Sequence, residues 1–398
     1  MSKFIELSET IKFVNERIET KELNLKNYIS TENMQPNKGG ITNAIKLPPA
    51  KTTTRYKKED ILISNIRLYF EKIWIADRAG GTSSDILVLR NKKGYNSKFI
   101  YYALSDINFF NYADVTSKGT KMPRGDKKAI LKYPIPNLNL KDQEKIADIL
   151  STYDELIENN NRRIEILEKT AEEIYKEWFV RMRFPGYENT KFIKGIPEAW
   201  ENVKLEDVCK LVRGISYSTK EIEKDVGVPM LTLKSIQAYG GYNYNGLRFF
   251  DGKIADRHYL KENDLVMAIT DMTQDRRVIG QVCLIPKTNY DDLVFSADLI
   301  LLDELKIEKD YMYALLRYGG LSEHIAMFSN GANVLHLNQR ILNKIRIFIA
   351  PESLRKEYEF KHKSIQKEIG ILEIQNQHLI KQRDLLLPRL MNGTIEVK

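Results

Sequence analysis

Residues 141 to 182 read KDQEKIADILSTYDELIENNNRRIEILEKTAEEIYKEWFVRM. Spaced along this stretch are Ile146, Leu150, Tyr153, Ile157, Asn160, Ile164, Leu167, Ala171, Ile174 and Trp178. The steps alternate between four and three, and every position but Asn160 is apolar or aromatic. That is the heptad seam a helix turns towards a partner helix. No Pro or Gly interrupts it, so the spacing predicts a rod roughly 60 Å long at about 1.5 Å per residue. Globular helices average about 11–12 residues. A seam this long and narrow therefore favours a coiled coil over one amphipathic helix lying on a core.

The chain supplies the partner. Residues 353 to 392 repeat the seam 212 positions later, at Tyr358, His362, Ile365, Ile369, Leu372, Asn376, Leu379, Arg383, Leu386 and Leu390. Each rod holds one seam Asn near its middle. A buried Asn loses stability unless another polar group answers it, and Asn facing Asn is a known way to fix register. Antiparallel rods with Asn160 opposite Asn376 pair positions whose numbers add to 536. Ile146 then meets Leu390, Leu150 meets Leu386, Ile157 meets Leu379, Ile164 meets Leu372, and Leu167 meets Ile369. Tyr153 faces Arg383 and covers its charge with the ring. A parallel pair at the same offset leaves both amides unanswered.

The blocks ahead of the rods repeat too. VKLEDVCKLV matches IELSETIKFV, and Asp264 stands at the place of Asp60 before a β-branched strand. FSADLILL matches TSSDILVL, with Asp298 over Asp85. DYMYALL matches FIYYALS, with Tyr313, Ala314 and Leu315 over Tyr102, Ala103 and Leu104. Gly331 stands over Gly119 in the last matching pair of segments. Shared order makes the matches a tandem repeat. The expected fold is α+β: two tandem mixed α/β domains separated by two long antiparallel coiled-coil helices, an internal pseudo-twofold repeat. The expected boundaries are a first domain at 1–138, a long helix at 139–183, a Pro- and Gly-punctuated linker at 184–197, a second domain at 198–350, a second long helix at 351–392 and a tail at 393–398.

With 398 residues, 42% hydrophobic and 29% charged, the chain has the composition of an ordinary globular protein with two or three cores. Its net charge of +8 permits a polyanionic partner without proving one. Cys209 and Cys283 fit no metal spacing and read as buried thiols in a reducing compartment. The start, MSKFIELSETIKF, has no apolar signal core, and no apolar run is long enough to span a bilayer. The expectation is a cytoplasmic protein without membrane association.

No catalytic constellation is present: no phosphate loop, no nucleophile elbow, no His-Glu-x-x-His. Pro48–Pro49 stands in LPPA, outside the Asn/Asp-Pro-Pro-aromatic setting of an adenine methyltransferase. Asp291–Asp292 reads as a solvated turn, since oxygen-ligand metal sites need several converging groups. The loops, in contrast, carry Arg, Asn and Gln, the types that read base edges, together with phosphate-holding Lys and Thr. The candidate DNA contacts are Arg67, Lys118, Lys121 and Arg124 in the first domain. In the second they are Arg213, Lys234, Tyr242, Asn243, Tyr244, Thr273, Gln274, Arg276, Arg277, Asn333 and His336. Any one of them alone reads better as solvated loop charge, since polar and charged residues are mostly exposed in any protein. Clusters on corresponding loops of a duplicated scaffold point to DNA.

The arrangement closely resembles the specificity subunits of type I restriction–modification systems. The resemblance covers nearly the whole chain and rests on IPNLNLKDQEKIADILSTYDELI at the start of the first rod, the linker FPGYENTKFIKGIPEAW and the ending LLLPRLMNGTIEV. The second rod departs from it: SLRKEYEFKHKSI lacks the Glu-Gln-x-x-Ile-Ala entry. The resemblance implies a non-catalytic reader of double-stranded DNA, each domain taking one half of a split site and the helices setting the spacer. It implies docking to two methyltransferase subunits and to restriction/translocase subunits. No cofactor is expected in this chain; S-adenosylmethionine, ATP and Mg belong to those partners. Two other classes remain: an enzyme with unrecognised motifs, and a coiled-coil scaffold whose heads bind proteins.

Overall fold

The computed structural model describes residues 3–119, 123–222, 226–272 and 274–397. The chain divides into two compact units, Met1–Asn160 with Gln375–Lys398, and Asn161–Ile374. The division falls inside both long helices, Leu140–Tyr175 and Glu352–Met391. Each unit is therefore a globular domain with a piece of each rod.

In the first unit, strand Phe4–Glu6 pairs antiparallel with Pro134–Pro136, just ahead of the first long helix. The central sheet runs in the order Ile11–Phe13, Ile86–Asn91, Ile61–Ser64, Ile73–Ile75. Ile61, Leu62, Ile63, Leu87, Val88 and Leu89 are all buried, as β-branched and aliphatic runs predict for a strand covered on both faces. A second four-stranded sheet flanks it, from Arg17–Glu19 through Thr52–Tyr56 and Gly80–Thr82 to Tyr28–Ile29. Helix Ser97–Ser105 starts on an Asn96 side chain that accepts from Phe99 N at 3.0 Å. It buries Phe99, Ile100 and Leu104 against the sheet core.

The second unit repeats this plan. Glu201–Lys204 pairs with Arg346–Ile349, and the central sheet runs Lys210–Arg213, Leu299–Asp303, Leu265–Ala268, Val282–Leu284. Asp60 and Asp264 do the same job: each accepts a backbone N–H three residues upstream, from Lys57 at 2.7 Å and from Lys261 at 2.8 Å, and so shapes the turn into its strand. Helix Lys309–Tyr318 begins after Glu308, which lies 212 residues beyond Asn96. The cap positions correct the letter match of these helices by one residue. At the constant offset Tyr313 stands over Tyr101, and buried Leu316 over buried Leu104. Both cysteines are buried and free, and burial pushes both thiols up to about 12.

Within each unit the rod segments run antiparallel. In the first, Asn160 Nδ2 donates to Asn376 Oδ1 at 3.0 Å, both residues being buried. Ile146 and Leu150 share a core with Leu386 and Leu390. Ile157 and Leu379 are half-buried. In the second, Arg163 reaches Glu368 at 2.7 Å, and the Trp178 and Tyr358 rings lie 6.2 Å apart. Ile369 and Leu372 are buried there, with Ile164 and Leu167 half-buried.

Three features of the rods differ from expectation. Arg383 is answered by carboxylates, Asp154 at 2.5 Å and Asp384 at 2.9 Å, instead of the Tyr153 ring, because a charge-assisted bond outweighs a ring face. His362 is satisfied from the globular domain, its Nδ1 lying 2.7 Å from buried Asp310. Past Ala171 the buried face shifts to Tyr175 and Phe179, which enter the domain core, while Ile174 and Trp178 pack against its margin. A π turn at Lys176–Val180 ends the first rod.

Candidate nucleic-acid interface

In the first unit the loop after helix Ile107–Val115 folds back on itself. Lys118 and Arg124 exchange both backbone hydrogen bonds, at 2.8 and 2.9 Å, and Arg124 also bridges Ile66, two residues past the central strand Ile61–Ser64. Arg67 N donates to Pro123 O at 3.3 Å. Arg67, Lys118 and Arg124 thus come together on the surface, all three exposed. Arg124 pairs with Asp85 at 2.8 Å and Lys118 with Asp126 at 2.5 Å. Lys118 helps hold the Asp126 carboxyl below its usual range. The same Asp126 caps helix Lys127–Leu131 through Lys128 N. Lys121 lies outside the described residues.

The second unit repeats the loop at the same offset. Asn330 and His336 exchange backbone bonds at 3.0 and 2.9 Å, and strand Leu335–His336 pairs with Thr270–Asp271. Arg124 and His336 are equivalent, as are Gly119 and Gly331, both at positive φ (105° and 142°). An L side chain at Gly331 would strike Val334 O at 1.9 Å, so the turn demands glycine there. Gln274 Nε2 reaches across to Ala332 O at 2.9 Å, and Tyr239 N donates to Arg277 O at 2.9 Å. Three loops therefore converge, presenting Tyr239, Gln274, Arg276, Arg277, Asn333 and His336, all exposed. Arg277 pairs with Asp275 at 2.8 Å. Thr273 lies outside the described residues.

Other candidates lie apart from that surface. Tyr242 is buried, with its ring 4.8 Å from Tyr244. Tyr244 donates its hydroxyl to Glu373 at 3.1 Å, and burial raises the Glu373 carboxyl above its usual range. Asn243 donates to Lys234 O at 2.9 Å, and Lys234 itself is exposed. Arg213 stands at a strand end with Nε on Ala297 O at 3.1 Å. Asp291 and Asp292 are exposed in a turn. Sequence reading passed over Tyr69, Phe70 and Met272, all exposed on hairpins beside the basic loops. Alternation alone does not say which hairpin residues turn outward.

The family model for the type I restriction modification DNA specificity domain matches residues 3–169 and again 197–373. The chain belongs to this family. It is a type I restriction–modification specificity subunit, a DNA-recognition chain without catalysis of its own. Among its relatives is the MjaIX specificity subunit of Methanocaldococcus jannaschii, 26% identical, over 77% of this chain and 71% of that one. The HindI specificity subunit of Haemophilus influenzae is 22% identical over 65% and 69%. Among solved structures, the type I S subunit from M. genitalium shares the fold at a TM-score of 0.59 and 15% identity, over 98% and 95% of the two chains. Among the described residues no helix is long and apolar enough to cross a membrane.

Proposed function

We propose that each unit reads one half of a bipartite DNA site through its folded-back loop. The observation that carries this reading is the equivalence of the Lys118·Arg124 and Asn330·His336 pairings at one offset, each beside an Arg-bearing hairpin. A duplicated scaffold with unlike side chains at like positions suits two different half-sites. Arg bidentate to guanine and His or Asn to other edges would specify bases, while Lys118 and Arg277 would hold phosphates.

The long helices, each continuous from one unit into the other, set the gap between half-sites. Apolar residues left exposed on them, Ile149, Leu156, Ile380 and Leu385 in the first unit and Ile166, Phe360 and Ile371 in the second, suit docking of two methyltransferase subunits. Those subunits bring S-adenosylmethionine, and restriction/translocase subunits bring ATP and Mg. The assembly works in the cytoplasm, where its DNA is. Inserting one heptad into each helix beside the Asn160·Asn376 pair keeps the seam in phase and adds about 10 Å. The undefined gap should then lengthen by about three base pairs, with both half-sites unchanged. Altered half-sites around a constant gap would refute the ruler.

A further inference from the structure

The hairpin joining Ile61–Ser64 to Ile73–Ile75 is strained at both ends of its tip. The short turn Leu68–Phe70 is bounded by Arg67 (φ 51°, ψ 58°) and Glu71 (φ 50°, ψ 43°). Both lie in the left-handed region that side chains with a Cβ avoid. The loop gripping the turn is strained as well. Asn37 and Lys38, at φ 54° and 60°, donate their backbone N–H groups to Phe70 O at 2.8 Å and Glu71 O at 3.0 Å. Lys38 also pairs with Glu71 at 3.1 Å. Four left-handed non-glycine residues in two touching loops persist only because neighbouring contacts over-determine them, and such strain collects at ligand clamps.

The strain fixes what the turn displays. Leu68 is buried and anchors it, while Tyr69 and Phe70 are 55% and 38% exposed with ring centroids 4.6 Å apart. Scattered surface apolar groups are ordinary, but a ring pair on a turn locked from both sides is not scattered. The surrounding charge names its partner. Arg67 is part of the turn's border, and Ile66 bridges Arg124 in the basic loop. The hairpin at the matching place in the second unit repeats two of these features with other residues, a left-handed Arg276 at φ 53° and a 74% exposed Met272.

We propose that Tyr69 and Phe70 form an aromatic wedge that enters the base stack of the half-site read by the first unit, with Arg67 on the flanking backbone beside the base-reading Arg124. The proposal rests on the DNA-reading function above. Apolar wedges of this kind unstack a step and kink the duplex. The backbone strain places both rings before DNA arrives, so little side-chain freedom is lost on binding.

The test uses the chain assembled with its modification subunits. Its probe is a set of duplexes carrying the site found by mapping methyladenine, with 2-aminopurine placed at successive positions of each half. Besides the target adenine that methyltransferases turn out of the stack in each half, wild type should brighten one further step, in the first half only. Y69A/F70A should lose that signal and bind about tenfold or more weakly, while Phe70→Tyr should keep both. No such further brightening in a first half-site that is bound and protected overturns the wedge and leaves DNA reading standing. Unchanged signal and affinity in Y69A/F70A overturn it too. Failure of wild type to prefer its methylated site over random DNA would instead remove the DNA reading beneath it. A variant that no longer assembles is replaced by Tyr69→Ala alone, whose ring is the more exposed, and the same two readings apply.

Discussion

In the first unit Gln143, on the opening turns of the long helix, joins that helix to the globular domain. Its Oε1 accepts from Asn96 N at 2.9 Å, and its Nε2 donates to Leu138 O at 2.8 Å. In the second unit the equivalent residue is Arg355, and both contacts recur at equivalent places with different chemistry. Arg355 Nη1 donates to Ala350 O at 2.5 Å, and Nε to the carboxylate of Glu308 at 2.5 Å. Asn96, Leu138 and Gln143 stand 212 residues before Glu308, Ala350 and Arg355. The departure of SLRKEYEFKHKSI from the Glu-Gln-x-x-Ile-Ala entry is therefore not a loss of the junction between helix and domain. An amide holding a neutral backbone group has been exchanged for an ion pair on a side chain. The repeat is kept in positions and contacts, and the residues filling them have changed.

That exchange makes the two junctions unequal under mutation. Arg355→Ala should be the most damaging, costing about 3–5 kcal/mol, because it strands the Glu308 carboxylate, whose side chain is only 11% exposed. Thermal or urea unfolding of the purified chain reads the loss. Gln143→Ala should cost less, about 1–3 kcal/mol, since it leaves two neutral backbone groups unpaired. If the order were reversed, the charged junction would not be carrying the second helix. Arg355→Gln sharpens the comparison: it restores a partner for Ala350 O but not the charge, and should fall between Arg355→Ala and wild type.

The seam offers a smaller effect. Asn160→Leu leaves the buried Asn376 amide without its 3.0 Å partner and should cost about 1–2 kcal/mol. The double change N160L/N376L should recover that loss or exceed wild type in stability, while register loosens. Disulfide trapping between Cys pairs placed in and out of register measures the loosening. Recovery with no out-of-register trapping would show that the surrounding Leu and Ile residues alone set the alignment.

The rods and their register were legible because heptad spacing is a local property, and because each seam carries a single Asn with one sensible answer. The junctions were not. Nothing in the letters of Gln143 or Arg355 says which backbone group lies opposite, and both reach groups brought near only by folding. His362 and Arg383 occupy seam positions that favour apolar residues, yet each finds a carboxylate, Asp310 or Asp154, outside the seam. The helix match around Tyr313 slipped by one because identical letters outweighed the cap at Glu308. In the loops, residue type pointed to Arg124 and His336, but the strained turn beneath Tyr69 and Phe70 appears only in dihedral angles.

The most direct test of the account is to map methyladenine in DNA modified by this chain assembled with its modification subunits, for wild type and for R276A/R277A. The account predicts two short defined blocks separated by a gap of fixed length. In the variant only one block should relax, if these arginines touch bases, or affinity should fall with a smaller salt slope and unchanged blocks, if they touch phosphates. A single continuous motif, or a variant with unchanged blocks, affinity and salt dependence, would contradict it.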